Sequence, residues 1–360
     1  MILKDMAYSI IDNAPMSTHF AAVNSGGGFV SYFPQVFGNE RIKKRYVIKG
    51  GPGTGKSSFM RRVAEYAEAR GRDVEYYRCS SDPASLDGII VDRTVAVFDG
   101  TAPHVYEPRL IGVQDNIVNL CEFWDHRRLE GLYGEISRLS EQRGVAYSKV
   151  YGYLSAAERM KGINDALTSS ALDREKMRVA AERLLRQIGR GDAAFSEYAI
   201  VNAIGMSGLT HISSFEKRAK RLYLVSDGYG LGWSFLSEIV KGGAEKRARA
   251  LISYDPLEPK KPDGVYFPDE GVAFLLDIGH CPDGAVKVNM SRFINEGKLL
   301  GVKSEYRRNR RMCDNLIGCA ISALAEAGRY HFELEDVYKS CMDFEAESAY
   351  TETFCREYFG

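Results

Sequence analysis

The sequence predicts an α/β fold in which a parallel, doubly wound sheet occurs twice along the chain, with helical insertions after each half. Three observations lead to this prediction. A glycine-rich stretch separates a strand pattern from a helix pattern within residues 46–67. Further strand patterns alternate with helix patterns after it. Finally, residues 218–277 repeat many features of residues 41–99.

The first of these features runs from Gly50 to Ser57 and fits the pattern G-x-x-x-x-G-K-[ST] of a phosphate-binding loop, or P-loop. Residues 46–48 are aromatic and β-branched, which predicts a buried strand. Apolar residues at helical spacing over 57–67 predict a helix that ends near Gly71. Strand, glycine loop and helix, in this order, are the context in which the pattern binds nucleotides.

The residue types of the loop predict contacts with a nucleoside triphosphate. Glycines let backbone N–H groups turn toward an anion at a helix N-terminus, whose dipole favours negative charge. We expect Lys56 to contact the β- and γ-phosphates and Ser57 to be a ligand of Mg²⁺. The predicted nucleotide-binding residues are Gly50, Gly51, Pro52, Gly53, Thr54, Gly55, Lys56, Ser57 and Ser58. The alternative is a strand-to-helix turn without a ligand, which leaves Lys56 without a function.

A shift of 177 positions (234 − 57) lays the loop over a second, altered copy. The glycines and the serine align as Gly51 with Gly228, Gly53 with Gly230, Gly55 with Gly232 and Ser57 with Ser234. Trp233 replaces Lys56 and Asp227 replaces Gly50, so the copy lacks the phosphate-binding charge and gains a negative one. We therefore expect no nucleotide there, and the alternative, a plain glycine turn, leads to the same expectation.

The whole chain divides into four predicted segments. These are a core with the intact loop over 1–114, a helical insertion or linker without strand signals over 115–190, a degenerate α/β half over 191–303, and C-terminal helices over 304–360. Within the first core, residues 74–79 and 94–98 predict two more strands.

Asp99 ends the apolar strand pattern 95–98 and fits a Walker B motif, whose carboxylate holds Mg²⁺. A strand-ending aspartate in an ordinary turn is the alternative. With small shifts in register, the second copy aligns Asp277 with Asp99 and Asp255-Pro256 with Asp82-Pro83.

A general base is harder to assign, because Gly100 follows Asp99 where many ATPases have glutamate. Asp82 either orients the attacking water or caps a helix that begins at Pro83. Thr101 is a candidate sensor of the γ-phosphate, and His104 either contacts phosphate or substrate or is structural. The predicted catalytic residues are Lys56, Asp99, Asp82, Thr101 and His104, and the predicted metal ligands are Ser57 and Asp99.

The composition limits the partners. Acidic and basic residues balance at 48 each, so overall charge gives no signal for nucleic acid. The dense basic run 307–311 is either a solvated helix face, an arginine finger or a polyanion patch. Seven cysteines without metal-ligand spacing, no leader pattern and no membrane-spanning apolar run predict a cytoplasmic protein without a membrane partner.

The loop residues 49–58, together with 76–83, 86–88 and 99–104, resemble a little-characterised family of bacterial putative ATPases of the AAA and RecA-like type, built from two tandem P-loop halves. The resemblance covers most of the chain and implies a P-loop NTPase fold with ATP bound at the first site. Other members can carry a loop lysine in the second half, and this chain departs from them at Trp233.

These observations predict a protein that binds ATP and Mg²⁺ and hydrolyses ATP at the first half. Two alternatives stay open. One is a kinase that transfers the γ-phosphoryl group to a nucleotide or small metabolite, and the other is a non-hydrolysing switch that uses ATP to act on a protein partner.

Overall fold

The computed structural model describes residues 8–192, 195–226 and 228–360. In the first part of the chain the elements are β1 Tyr8–Ile11, β2 Thr18–Phe20, β3 Ala22–Ser25, β4 Gly28–Ser31, α1 Phe33–Val36, β5 Lys44–Lys49, α2 Lys56–Glu68, β6 Val74–Arg78, β7 Leu86–Val91, β8 Val95–Asp99, β9 Asp115–Asn119, α3 His126–Gly131, α4 Tyr133–Thr168 and α5 Arg174–Leu185. The later elements are β10 Phe195–Tyr198, β11 Asn202–Gly205, β12 Gly208–Ile212, α6 Ser214–Arg218, β13 Arg221–Ser226, α7 Gly232–Glu245, β14 Arg249–Tyr254, β15 Pro262–Phe267, β16 Val272–Leu276, β17 Val286–Asn289, α8 Lys303–Lys339 and α9 Phe344–Phe359. Short 3₁₀ helices follow β9, α4 and β17.

The chain divides into two compact units that are not continuous in sequence. The Lys56 unit comprises residues 17–22, 31–149 and 322–360. The Trp233 unit comprises the described residues of 8–16, 23–30 and 150–321. The boundaries fall inside the long helices α4 and α8.

Each unit contains a six-stranded sheet, and the two sheets have the same strand order. The order is β2-β6-β7-β8-β5-β9 in the Lys56 unit and β10-β14-β15-β16-β13-β17 in the Trp233 unit. In each sheet the strand before the glycine loop, β5 or β13, lies between two parallel neighbours. The loops therefore begin at corresponding points of the two sheets.

The prediction of wholly parallel sheets is wrong, because β7 and β15 run antiparallel to both of their neighbours. Only residues 92–94 separate β7 from β8, and a parallel connection needs a crossover of a dozen residues or more. Asp92 and Arg93 adopt positive φ values of 47° and 60°, which lets the chain turn back at once. The molecule is a mixed α/β protein with mixed sheets.

The strands and the helix around the loop are otherwise where the sequence predicts them. β5, α2, β6 and β8 cover the predicted positions, and Gly71, at φ 74°, follows the end of α2. Two predictions are wrong in detail. Residues 115–119 form an edge strand, because they pair with β5 along its full length. The sequence pattern predicts C-terminal helices at about 304–326 and 333–358, but the break between α8 and α9 lies at 340–343.

The core of the Lys56 unit lies between its sheet and the helices α2 and α9. α2 buries Phe59, Met60 and Val63 toward the sheet, and α9 adds Phe354 and Phe359 to the same cluster. Burial of such side chains is the main source of folding free energy. In the Trp233 unit, α7 and α5 pack in a corresponding cluster. Buried apolar side chains thus anchor α2, and with it the end of the loop, to the sheet.

No helix among the described residues is long and apolar enough to cross a membrane. The seven cysteines all lie in the described part of the chain and are free of disulfides.

Candidate nucleotide-binding site

The glycine loop connects β5 to α2 through residues 50–55. Gly53 and Gly55 have φ values of 72° and 81°, in the left-handed region that favours glycine. A Cβ atom at Gly53 would lie 2.5 Å from the backbone oxygen of Glu335. The first turn of α2 carries no acidic residue of its own, and Cδ of Glu347 lies 3.9 Å from the position that a Cβ atom would take at Gly55. The N–H groups of this first turn and the positive end of the helix dipole are the features of the loop that favour an anion.

Lys56 lies at the start of α2 and folds back over the loop. Its Nζ donates hydrogen bonds of 2.8 Å to the carbonyl oxygens of Gly50 and of Gly51. The same Nζ lies 3.6 Å from Oδ2 of Asp99, at the end of β8. This distance follows from the parallel pairing of β5 with β8, in which Ile48 is the partner of Asp99. Lys56 and Asp99, which the sequence predicted as partners in one site, are therefore neighbours.

Thr101 bonds to Asp99 and to the Gly50 carbonyl, which also accepts from Lys56. Its backbone N–H donates to Asp99 Oδ1 at 2.8 Å, and its hydroxyl donates to the Gly50 carbonyl at 3.0 Å. Ser57 Oγ accepts a hydrogen bond of 3.0 Å from the N–H of Leu86, the first residue of β7. Thr54 closes the loop by donating to the Gly51 carbonyl at 2.9 Å. Lys56, Asp99, Thr101 and Thr54 are thus connected through the carbonyls of Gly50 and Gly51, whereas Ser57 bonds separately to Leu86.

Asp87 is a member of this site that the sequence reasoning did not select. Gly88 pairs with Phe98 in the antiparallel ladder, so Asp87 stands beside Asp99 on the neighbouring strand. Asp87 is only 5% exposed, and burial raises the pKa of its carboxyl group above the ordinary value. The available signal was a charged residue in the apolar stretch 86–91, but that stretch was not predicted to be a strand.

His104 faces Asp87 and not the loop. Its Nε2 lies 3.6 Å from Asp87 Oδ1. Its ring stacks on Phe33 at a centroid distance of 4.5 Å and an interplanar angle of 10°. His104 is buried, so this stacking fixes the imidazole edge that points at the carboxylate.

Asp82 lies in the turn between β6 and β7. Its Oδ1 accepts from the N–H of Ala84 at 3.2 Å, and its Oδ2 accepts from the hydroxyl of Ser85 at 2.7 Å. No helix begins at Pro83, so the expected helix cap is wrong; the side chain instead closes a turn.

The second glycine loop has a different set of neighbours. Trp233 occupies the place of Lys56, and the Nζ of Lys261 lies 4.9 Å from the centre of its indole ring. Lys261 also pairs with Asp165 and, at 2.7 Å, with Glu258. Lys161 is buried and pairs with Asp255 at 2.7 Å and with Glu258 at 2.8 Å. Burial alone would lower the pKa of Lys161, but these two carboxylates raise it above its usual value.

Strand pairing corrects two of the sequence alignments between the loops. Ile48 pairs with Asp99, whereas Val225 pairs with Leu276, so Leu276 and not Asp277 has the position of Asp99. The turn after β14 likewise aligns Glu258, and not Asp255, with Asp82. In the first turn the N–H of Ser85 donates to the carbonyl of Asp82, and in the second the N–H of Lys261 donates to the carbonyl of Glu258. Asp227, which was expected to repel phosphate, lies outside the described residues.

The basic run 307–311 lies on α8. Arg307, Arg308 and Arg311 are exposed, and Arg310 Nε is 4.0 Å from Asp314 Oδ2. Among the residues that the structure describes, no group of three or more His, Cys, Asp or Glu side chains could hold a metal ion. A Mg²⁺ ion at a P-loop takes fewer protein ligands than that, because it keeps several waters and phosphate oxygens.

A cleft of about 720 Å³ lies next to the first loop, and its lining residues are Glu122, Phe123, Trp124, Asp125, Arg128, Ser340, Cys341, Met342, Asp343, Phe344, Glu345 and Ala346. All of them belong to the Lys56 unit. The lining does not include Lys56 or Asp99, so the cleft and the phosphate-binding loop are adjacent and distinct.

Comparisons of the chain with protein-family models, with curated proteins and with solved structures found no match.

Proposed function

We propose that the chain is a P-loop nucleoside triphosphatase that binds ATP with Mg²⁺ in the Lys56 unit and hydrolyses it there. The observation that carries the proposal is the position of Lys56 Nζ, at the start of α2, on the carbonyls of Gly50 and Gly51 and 3.6 Å from Asp99 Oδ2. A lysine, a glycine loop and a strand-ending aspartate in this relation are the parts that P-loop enzymes use on a triphosphate.

The fold supports the proposal through its repetition. Both sheets have the same strand order, each with a glycine loop between its fifth strand and a helix. We infer a duplicated P-loop fold in which only the first copy binds nucleotide. Trp233 and Leu276 supply neither the cation nor the carboxylate at the corresponding positions, and Lys161, Lys261 and their carboxylate partners surround that loop instead.

The residues present fit ATP and Mg²⁺. The first turn of α2, which carries no acidic residue of its own, supplies helix N-terminal N–H groups to an anion. Ser57 and Asp99 supply hydroxyl and carboxylate oxygens, the ligand types that Mg²⁺ prefers. When bound, Mg²⁺ would neutralise charge on the β- and γ-phosphate oxygens.

In the proposed reaction, Lys56 exchanges its two carbonyl acceptors for phosphate oxygens and stabilises the charge that develops on them. A water oxygen bonds to the γ-phosphorus in line with the departing β-phosphate oxygen, whose bond to that phosphorus breaks. Asp87, beside Asp99, accepts the proton of this water. Burial raises the pKa of this carboxyl group, which makes it a stronger base than an ordinary aspartate. Thr101 and His104 hold the loop carbonyl and the Asp87 carboxylate in place.

The test is calorimetry with Mg²⁺-ATP together with phosphate release, on the unaltered chain and on Lys56→Ala. We expect one ATP per chain and measurable turnover, both lost in Lys56→Ala. Binding without phosphate release would favour the kinase or the switch. Absence of binding in the unaltered chain would disprove the proposed function. On this proposal the protein works in the cytoplasm, where ATP is available and thiols stay reduced.

A further inference from the structure

The cleft beside the loop borders it at two glycines. A Cβ atom placed on Gly51 would lie 2.9 Å from Cη2 of Trp124, and one placed on Gly55 would lie 4.0 Å from Cε1 of Phe344. Trp124 and Phe344 both line the cleft. The cleft therefore borders the loop, with Trp124 and Phe344 between them, and it is the neighbouring space for a molecule that the loop holds.

The order of the strands determines which end of such a molecule faces the cleft. β8, which carries Asp99, lies on one side of β5, with β7 and Asp87 beyond it. β9 lies on the other side of β5, and the chain runs from β9 through the 3₁₀ helix Leu120–Phe123 to Trp124. The reacting γ-phosphate has to be near Asp99 and Asp87. The opposite, nucleoside end of the molecule then points toward the β9 side and the cleft.

The chemistry of the lining fits a nucleoside better than a second phosphate group. Four of its side chains are acidic (Glu122, Asp125, Asp343 and Glu345), whereas Arg128 is its one cation. An excess of carboxylates repels phosphate, but it accepts hydrogen bonds from an exocyclic amine and from ribose hydroxyls. Phe344 is 44% exposed, so an aromatic surface is available to a base.

We propose that this cleft is the subsite for the base and ribose of the bound nucleotide. Its volume of about 720 Å³ lies within the range of small-molecule pockets, roughly 300–1,000 Å³. The proposal deepens the proposed function and depends on it, since it assigns the nucleoside end of the ATP whose phosphates the loop holds. It implies that the base contributes to binding and that the protein distinguishes ATP from inorganic triphosphate.

The first test compares the dissociation constants of Mg²⁺-ATP and Mg²⁺-triphosphate by calorimetry for the unaltered chain, Phe344→Ala and Phe332→Ala. Phe332 is the matched control, because it is also a phenylalanine of the Lys56 unit, is also 44% exposed and does not line the cleft. We expect Phe344→Ala to weaken ATP binding by about tenfold or more, the usual effect of losing an aromatic contact with a base. Triphosphate binding should stay within about twofold of the unaltered value, because the loop is intact.

The second test uses the two tryptophans of the chain, Trp124 and Trp233. Trp233→Phe leaves Trp124 as the single indole, so its fluorescence reports on the cleft. Saturating ATP should change the Trp124 emission, and saturating triphosphate should change it much less.

The outcomes separate the two proposals. If the unaltered chain binds neither ATP nor triphosphate, the proposed function fails and the subsite fails with it. If triphosphate binds as tightly as ATP, or if Phe344→Ala and Phe332→Ala have the same effect on ATP, the function stands and the subsite is disproved. An unchanged Trp124 emission at saturating ATP would also disprove it.

Discussion

The two glycine loops of this protein occupy corresponding places in their sheets but have different electrostatic neighbours. Gly53 and Gly230 have φ values of 72° and 74°, and each loop leads from the fifth strand of its sheet into a helix with a buried apolar face. The loops differ at the helix start, where Gly55 has a φ of 81° and Leu231 a φ of −104°. At the first loop a single lysine lies among carbonyls with one aspartate near it. At the second, Lys161 and Lys261 are already paired with carboxylates.

This difference shows that a glycine loop can be kept in the fold after the residues that bind phosphate have been lost. Glycines and apolar strands maintain the turn, because they satisfy local backbone and packing requirements. Anion binding needs in addition a cation that is available to the ligand. In the Trp233 unit the cations stabilise the protein itself, and the four predictions below test this division of roles.

The largest expected effect concerns two aspartates that occupy corresponding positions in the two sheets. Asp87 on β7 and Asp263 on β15 hold corresponding positions, since Gly88 pairs with Phe98 and Gly264 with Leu275. Asp87→Asn should lower the rate of ATP hydrolysis by about 10²–10⁴-fold, the usual contribution of a general base. Asp263→Asn is the matched control and should leave the rate unchanged.

The same experiment has a pH signature. A general base works when ionised, and burial raises the pKa of Asp87. The hydrolysis rate of the unaltered chain should therefore rise with pH through a range above that of an ordinary aspartate. The hydrolysis rate of Asp87→Asn should not show this rise with pH. A profile that is identical in the two proteins would exclude Asp87 as the base.

The next effect is on stability and concerns Lys161. Lys161→Met leaves the largely buried Asp255 without its cation, whereas Glu258 keeps Lys261, and breaking a buried pair in this way costs about 3–5 kcal/mol of unfolding free energy. The control is Lys149→Met on the same helix, whose pair with Glu326 is solvent-exposed, and we expect a cost of about 0–1 kcal/mol. Urea unfolding measures both, and equal costs would contradict the structural role of Lys161.

A smaller effect is expected from Asp263, because burial raises the pKa of its carboxyl group to about 6. The native protein therefore holds this proton to a higher pH than the unfolded chain does. Below the unfolded pKa both states are protonated and no cost arises. The cost of ionising the buried group grows as the pH rises from about 4 to about 6 and is complete above that, at about 3 kcal/mol.

Asp263→Asn removes this cost while its amide oxygen can still accept from Asn202 Nδ2, the present 2.7 Å partner. The variant should gain stability relative to the unaltered chain as the pH rises from 4 to 7, as measured by unfolding at several pH values. Asp283→Asn, at an exposed position of the same unit, should show no such trend. A pH-independent difference for Asp263→Asn would contradict the prediction.

The last substitution, Trp233→Lys, is expected to leave the number of ATP molecules bound per chain unchanged. Trp233→Lys restores the missing loop residue, yet Leu276 still stands where the first site has Asp99, and Lys261 and Asp165 still lie beside the loop. Calorimetry should again give one ATP per chain. A second binding event would mean that the tryptophan alone prevents nucleotide binding in the Trp233 unit.

The sequence by itself determined the elements whose signals are local. The β-branched residues before Gly50, the spacing of Phe59, Met60 and Val63, and the glycines between them specify strand, helix and loop within one short stretch. The proximity of Lys56 to Asp99 was also predictable, because parallel strands of a P-loop sheet bring their carboxyl ends together.

Only the tertiary structure decided the rest. The tight turn at 92–94 reverses β7 and so places Asp87 beside Asp99. The strand pairing shows that Leu276 stands at the position of Asp99. A sequence alignment that is wrong by one residue gives no sign of the error, because it contains no information on which residues face each other in the sheet. The cleft joins Trp124 to Phe344, which are far apart in sequence. Cross-strand register and long-range packing depend on turn lengths and on the whole core, and neither is encoded in any local pattern.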